Sequence, residues 1–439
     1  MAINLEGYRI AKRRYSPRYD EMETRVFARS TLGAEELEQY QSERLSTQFT
    51  AGVGCDYWRQ KFAEFGVNPD AEDPLLELRK LPVLTKRDVQ SHGQSILNPT
   101  YKKTSLILRH TSGTTGSGLF FYETIESELE TWATWWRYRN HHGISRDSLC
   151  GYFGGRSIVP IGQDNPPYWR FNQSAKQIYF SSYHLNAETS ADYLCKIAGS
   201  GVRWVHGYPS FLALLASFVT DLNRNLCEGV EIVSFGAESL TESHKSKIRT
   251  AFPNAELVQH YGLAEGVANI SQCRHGSLHV DEDFSIVEFL PIEDMPGKFR
   301  IIGTNIINDA FPLFRYDTGD VVELTIGARC TCGSTWRVVG DIDGRIEDYV
   351  TLPNGTKVGR LDHVFKDMTN IIEAQIRQES ISEIDVYIVP ASSFSDSDEA
   401  KLKAELLSRL GAGLSIRIFH RKKLDRTKAG KARLVVSNL

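Results

Sequence analysis

Six consecutive residues, Thr111-Ser112-Gly113-Thr114-Thr115-Gly116, combine four hydroxyls with two glycines. They follow the strand-like run Ser105–His110. Such a loop suits an anion. Glycine lets the backbone come close, and successive N–H groups and hydroxyls donate to phosphate oxygens. No Gly-Lys-Ser/Thr closes it, so it is not a Walker A loop. Alone, it also reads as an ordinary Ser/Thr-rich turn. A second constellation has metal-ligand character. Cys273 and His279 are followed downstream by Cys330 and Cys332, a set of three thiolates and one imidazole. That set suits tetrahedral structural Zn2+. The competing readings are buried apolar cysteines, and His275 in place of His279.

Three further segments give the loop a context. They are Tyr261-Gly262-Leu263-Ala264-Glu265, Tyr316-Asp317-Thr318-Gly319-Asp320 and Arg426-Thr427-Lys428-Ala429-Gly430-Lys431. In this order they resemble the motifs of the adenylate-forming enzymes: acyl-CoA synthetases, luciferases and peptide-synthetase adenylation domains. Leu81–Lys86, Gly207-Tyr208-Pro209-Ser210, Gly236-Ala237-Glu238-Ser239-Leu240 and Phe314–Asp320 resemble the phenylacetate–CoA ligase-like branch and its capsule-associated relatives. The resemblance spans roughly residues 75–435. It implies a large α/β domain with mainly parallel sheets, residues 1–343, and a small α+β lid domain, residues 344–439.

The resemblance also assigns roles. The implied activity is an ATP-dependent, AMP-forming activation of a carboxylic acid, with transfer to coenzyme A. An amine or a carrier-protein thiol is the alternative acceptor. Meeting a carboxylate with a triphosphate requires backbone dipoles, a metal and a mobile cation. The loop 111–116 would cradle phosphates, and Glu265 would ligate Mg2+. Tyr261 would stack on adenine, with Gly262 beside it and Gly236-Ala237-Glu238 across the base. Asp320 would accept from the ribose hydroxyls, and Arg345 would contact ribose or phosphate. Lys431 would be the mobile cation, and Glu347 the hinge. Each has a plainer reading: Glu265 as a helix N-terminal carboxylate, Tyr261 as a core aromatic, Asp320 as a β-turn residue, Lys431 as part of a basic tail. Two departures stand out. The lysine that often follows the loop is missing, and Ala264 replaces a hydroxyl residue. The third reading is therefore a catalytically degenerate nucleotide-binding protein.

The acyl end is less specified. Trp132, Trp135, Trp136, Tyr138, His141 and His142 form a stripe that reads as core packing or as an aromatic-acid wall. His206 and Tyr208, beside a βα turn, are the better substrate-binding candidates.

The elements that must hold these residues alternate. Between residues 100 and 340, short β-like runs interleave with helical patterns, which predicts βα units around a parallel sheet. Glu231–Phe235 and Glu256–His260 read as strands that end at candidate segments. Ligands bind beyond the carboxyl ends of such strands. Pro209 opens an apolar, buried helix. Near the C-terminus, Ile384–Val389 and Leu414–Phe419 read as strands. An Asp396/Glu399 capping box starts a helix between them.

Of 439 residues, 41% are hydrophobic, so large cores are affordable in composition, and length predicts two or three domains. Net charge is −4, which gives no sign of a nucleic-acid or anionic-membrane partner. No apolar run reaches membrane-spanning length, and no signal-peptide core opens the chain. Seven scattered cysteines fit a reducing cytoplasm. Cys55, Cys150, Cys195 and Cys227 read as core residues. A homodimer is an option that related ligases leave open, with no legible interface.

Overall fold

The structure, a computed structural model, describes residues 2–439 apart from 112–118, 155–157, 161, 187, 220–224, 238–239, 241, 293–296, 325–326, 344–349, 356, 359–360, 366–367, 369, 412, 423, 425–433 and 438. Six helices occupy the first hundred residues: Ala2–Arg14, Pro17–Arg29, Ala34–Val53, Asp56–Phe65, Pro74–Lys80 and Lys86–Ile96. Local chemistry sets their ends. Thr85 and Asp88 cap the last helix reciprocally, and Gly66, at φ 63°, ends the fourth.

A nine-stranded sheet forms the centre. Its spatial order is Val338–Val339, Leu278–Val280, Asn269–Gln272, Glu256–Gly262, Ile232–Phe235, Trp204–Gly207, Cys150–Phe153, Gln177–Phe180 and Trp169–Asn172. The five strands from Glu256–Gly262 to Gln177–Phe180 run parallel. The outer strands join antiparallel. Alternation along the parallel strands divides the two faces. Val205 and Val233 pack under helices Ser190–Gly199, Pro209–Ser217 and Glu242–Ala251. Cys150, Trp204 and Ile232 face the helix Ile125–His141 through Leu129, Ala133 and Trp136. A strand buried on both faces is mostly apolar on both, and Ile232–Phe235 follows this apart from Ser234.

A second sheet, wholly antiparallel, holds Ser285–Pro291, Lys298–Asn305, Tyr316–Glu323 and Ile342–Asp343. Beyond it the chain builds another four-stranded sheet. Ile371–Ser380 and Glu383–Pro390 pair antiparallel, and Val435–Ser437 and Ser415–His420 join them in parallel. Helix Asp396–Leu410 covers this sheet through Leu402, Leu406 and Leu410. Tyr183 of the large domain enters that core, and Arg409 Nη1 donates to its hydroxyl at 3.1 Å.

Four local details differ from the plainest reading of the sequence. The strand before the phosphate-loop candidate, Ile107–Thr111, is only half-buried and pairs antiparallel with Leu119–Glu123. Asp317–Asp320 lies within the strand Tyr316–Glu323, but the register with Lys298–Asn305 shifts between Asp317 and Val321, and Thr318–Asp320 form a bulge with turn-like local bonds and Gly319 at φ 76°. The reciprocal cap near the C-terminus uses Ser395 and Asp398. Cys195 is exposed, because its helix turns that side to solvent. None of the seven cysteines is disulfide-bonded. Among the described residues, no helix is long and apolar enough to cross a membrane.

Candidate functional site

The carboxyl ends of the parallel strands bring several candidates together. Gly236 follows Ile232–Phe235, and Tyr261 and Gly262 end the neighbouring strand. A Cβ on Gly236 would lie 3.5 Å from the His260 carbonyl oxygen and 3.9 Å from His206 Cε1. Ala237 then adopts φ 69°, a left-handed conformation that costs a non-glycine residue about 1–2 kcal/mol. Gly262 cannot carry a side chain in place. Its Cβ would stand 2.7 Å from Asn269 Oδ1 and 2.9 Å from His260 Cε1.

Tyr261 donates its hydroxyl hydrogen to Asp320 Oδ2 at 2.8 Å. The strand Tyr316–Glu323 orients Asp320, whose own N–H donates to Thr318 Oγ1 at 3.1 Å. Asp320 and Glu265 are both buried. Glu265 lies in a turn after its strand, with no helix following, so the helix N-terminal reading of this carboxylate does not hold. Leu81–Lys86 is part of the same frame. Leu84 N donates to Arg315 O at 2.9 Å, and Asp317 N donates to Leu84 O at 2.8 Å. Arg315, at φ 50°, also binds the carbonyl of Leu81. Two motifs more than 200 residues apart are thereby joined.

Beneath the strand ends lies a polar and aromatic layer. His206 Nδ1 contacts Ser234 Oγ at 2.8 Å, and Trp204 Nε1 donates to the same oxygen at 2.7 Å. The His206 ring lies over Tyr152 at 5.4 Å. His260 Nε2 meets Asn269 Oδ1 at 2.8 Å, and Trp135 Nε1 donates to that oxygen at 3.1 Å. An amide oxygen only accepts, so His260 carries its hydrogen on Nε2. Both histidines are held neutral. Burial, reinforced by the charge of Arg139, brings His206 down to about 3 and His260 to about 4. Tyr208 caps the helix Pro209–Ser217 and stacks on Phe211 at 5.8 Å. The stripe Trp132–His142 lies above this layer, except His141, which is exposed.

Sequence reasoning missed the framework behind His260. Asn269 Nδ2 and Ser271 Oγ both donate to Asp281 Oδ2 at 2.6 Å. Arg137 reaches Asp281 at 3.0 Å and both oxygens of Asp283 at 2.8 Å, and Arg29 pairs with Asp283 and Glu130. The Arg137 guanidinium is 1% exposed. An arginine inside an aromatic stripe was the available signal.

The sulfur and nitrogen candidates converge. The ligand atoms of Cys273, His279, Cys330 and Cys332 all lie within 4.8 Å of one another. Cys273 Sγ and Cys330 Sγ are 3.6 Å apart, and Cys332 Sγ lies 3.5 Å from His279 Nε2. A tetrahedron with Zn–S near 2.3 Å and Zn–N near 2.0 Å has edges of about 3.5–3.8 Å. His279 Nδ1 donates to the Trp336 carbonyl at 3.2 Å, leaving Nε2 for a ligand bond. His275 instead meets Thr331 Oγ1 at 2.8 Å on the surface. The set fits a tetrahedral metal ion.

Of the other candidates, Thr111 ends its strand and pairs with Leu119. Ser112, Gly113, Thr114, Thr115, Gly116, Glu238, Arg345, Glu347 and Lys431 lie outside the described residues.

Comparison with known proteins places this geometry. Residues 350–438 match the family described as the CapK C-terminal domain. Protein CapK of Staphylococcus aureus is 28% identical over 369 residues, spanning 82% of this chain and 80% of that protein. A phenylacetate-coenzyme A ligase of Thermus thermophilus is 26% identical over 351 residues, 73% of each chain. The structure of 2-hydroxyisobutyryl-CoA ligase with 2-HIB-AMP and CoA, in the thioesterification state, superposes with a TM-score of 0.57. It covers 93% of this chain and 91% of that one at 20% identity, and so shares the fold. The chain thus shares the fold of an acyl-CoA ligase of the adenylate-forming type. Its sequence is similar to protein CapK and to phenylacetate-coenzyme A ligases.

Proposed function

We propose that this protein activates a carboxylic acid with ATP and passes the acyl group to a thiol, most simply coenzyme A. The carrying observation is the Tyr261–Asp320 hydrogen bond beside Gly236 and Ala237. It supplies an aromatic face and a ribose-type acceptor at the carboxyl ends of parallel strands, where a nucleotide belongs. The relatives named as phenylacetate-coenzyme A ligases and the shared fold support the same reading.

In this proposal a substrate carboxylate oxygen attacks the α-phosphorus, and the bond to pyrophosphate breaks. The thiolate sulfur then attacks the acyl carbon, and AMP leaves. The loop 111–116 holds phosphate oxygens, Glu265 would hold Mg2+, and Asp320 orients the ribose. Arg345 and Lys431 bring positive charge to the phosphates, with Glu347 as the hinge of the lid segment 344–439. Neutral His206, with Tyr208, faces the acyl group. A zinc ion held by Cys273, His279, Cys330 and Cys332 would staple the Asn269–Val280 hairpin to the loop before Val338, and takes no part in the chemistry. Seven unpaired thiols accord with a reducing, cytoplasmic setting.

The test is acid-dependent ATP–pyrophosphate exchange across aryl, alkyl and amino acids, with Lys431→Ala as control. Exchange lost at least about a hundredfold in the variant, with ATP binding kept, is the expected result. ATP binding without exchange for any acid would favour the degenerate reading. The acceptor has a second reading. An amine acceptor giving an amide, left open by the sequence resemblance, is kept beside coenzyme A. Product analysis with CoA, amino sugars and amino acids separates the two.

A further inference from the structure

Arg139 differs from the other buried and half-buried arginines around it. Arg137, Arg29 and Arg109 each pair with at least one carboxylate. Arg139 makes no side-chain hydrogen bond or ion pair among the described residues. Its guanidinium carbon is instead surrounded by indoles, 4.9 Å from Trp136 and 5.6 Å from both Trp132 and Trp204. The ionisable groups around it include Tyr15, Cys150, Tyr138 and Tyr152, all neutral near pH 7, and the neutral His206 and His260. The nearest carboxylates on its own helix are committed elsewhere. Glu128 binds Arg13, Arg14 and Arg109, and Glu130 binds Arg29 and Arg44. Cation–π contacts offset part of the cost of burying this charge, and they leave the planar N–H fork unused. That fork matches a carboxylate in two parallel hydrogen bonds.

Its position points along a path. Trp204, under Arg139, and His206 share one face of a single strand, two residues and about 7 Å apart. His206 reaches Gly236 at the strand ends. Arg139 therefore lies deeper than His206 on a line that starts where the activated carboxylate is proposed to sit. Arg139, His206, Tyr152 and Trp135 are all part-exposed although a helix and the sheet enclose them, the condition of groups that line an internal space.

We propose that Arg139 recognises a second carboxylate on the acid substrate, at the end remote from the one activated. The substrate class is then a dicarboxylic acid whose carboxylates are separated by a spacer of about 7–10 Å, aliphatic or aromatic. This rests on the ligase reading above and narrows it.

The experiment compares matched acids in ATP–pyrophosphate exchange: hexanoate with adipate, and phenylacetate with 4-carboxyphenylacetate. In the unaltered protein at least one diacid should exceed its monoacid in kcat/KM by about tenfold or more, the range of a charge-assisted pair. Arg139→Met should erase or reverse that ratio, and Arg139→Lys should keep part of it. Monoacids accepted as well as their diacids, or a ratio untouched by Arg139→Met, would overturn the proposal while leaving the ligase intact. If no acid supports exchange, the ligase reading fails, and binding decides the role of Arg139 separately. Trp132, Trp136 and Trp204 report on the site by fluorescence. A saturable response to a diacid, absent with its monoacid and absent in Arg139→Met, supports it. No diacid response in the unaltered protein refutes it.

Discussion

Tyr261 and Asp320, on different sheets, are joined by a 2.8 Å hydrogen bond from phenol to carboxylate. The contact links an aromatic face to an acceptor, and it orients the carboxylate before any ligand arrives. A carboxylate with one oxygen occupied still offers further lone pairs to vicinal hydroxyls. Asp320→Asn should therefore raise the KM for ATP by about tenfold or more, since an amide replaces a charged acceptor. Tyr261→Phe keeps the ring and loses only the orienting bond, so a rise of about two- to fivefold is expected. Steady-state kinetics at saturating acid reads both. Equal effects would show that Asp320 acts only through the tyrosine.

The Cys/His cluster makes a prediction that needs no substrate. The four ligands come from a hairpin and a separate loop, so a bound ion removes freedom from both. Purified protein should contain about one zinc per chain by elemental analysis. Cys332→Ser should lose most of it and lower stability by about 2–4 kcal/mol, seen as a fall in melting temperature. His275→Ala should change neither, because His275 bonds to Thr331 at the surface. Zinc retained in Cys332→Ser and lost in His275→Ala would reassign the fourth ligand.

These two sites differ in how far the sequence disclosed them. The strand-like run ending at Gly236 is legible because a parallel strand buried on both faces carries apolar residues at most positions, whereas the run ending at Tyr261 shows only Leu257 and Val258 of that signal. The Cys/His set is legible because so few residue types bind zinc. Asp320 is harder. Asp-Thr-Gly-Asp favours a turn locally, and the structure sets it as a bulge inside a strand that pairs with Lys298–Asn305 on either side. The Arg137–Asp281–Asp283 cluster is barely legible: an arginine inside an aromatic stripe flags Arg137, but its partners lie 144 and 146 residues away and nothing local couples them. Arg139 hides within a tryptophan stripe that reads equally as core. Its distinguishing property, the missing carboxylate, exists only in three dimensions.

The histidine layer carries a pH signature. Burial first, and then the charge of Arg139, hold His206 near 3 and His260 near 4, below the ordinary value of 6.5. Both are neutral in the folded protein at pH 5, whereas the unfolded chain protonates them. Stability should therefore fall as pH drops from about 6.5 towards 4, by at most about 1.4 kcal/mol per pH unit for each histidine. His206→Asn removes one of these proton sites. Urea unfolding at pH 7 and pH 5 should show a smaller loss in the variant than in the unaltered protein. An identical loss would mean that His206 is protonated in the folded state at pH 5.

Arg137 joins stability to the histidine layer. It is closed off from solvent and serves Asp281 and Asp283 together. Asp281 in turn accepts from Asn269, whose amide oxygen receives His260 and Trp135. Arg137→Met would leave two carboxylates facing each other without their shared cation, a change that costs about 3–5 kcal/mol. Asp283→Asn should cost less, since Arg137 keeps Asp281 and Arg29 keeps Glu130. Through Asn269, loss of Arg137 should also loosen His260. At a temperature where the variant is folded, the KM for the acid should rise more than the KM for ATP. Urea titration reads the first effect and two-substrate kinetics the second. A destabilised variant with both KM values unchanged would make the cluster a support for the sheet alone. A shift confined to the acid would show that the ion pairs behind the strand tune the pocket in front of it.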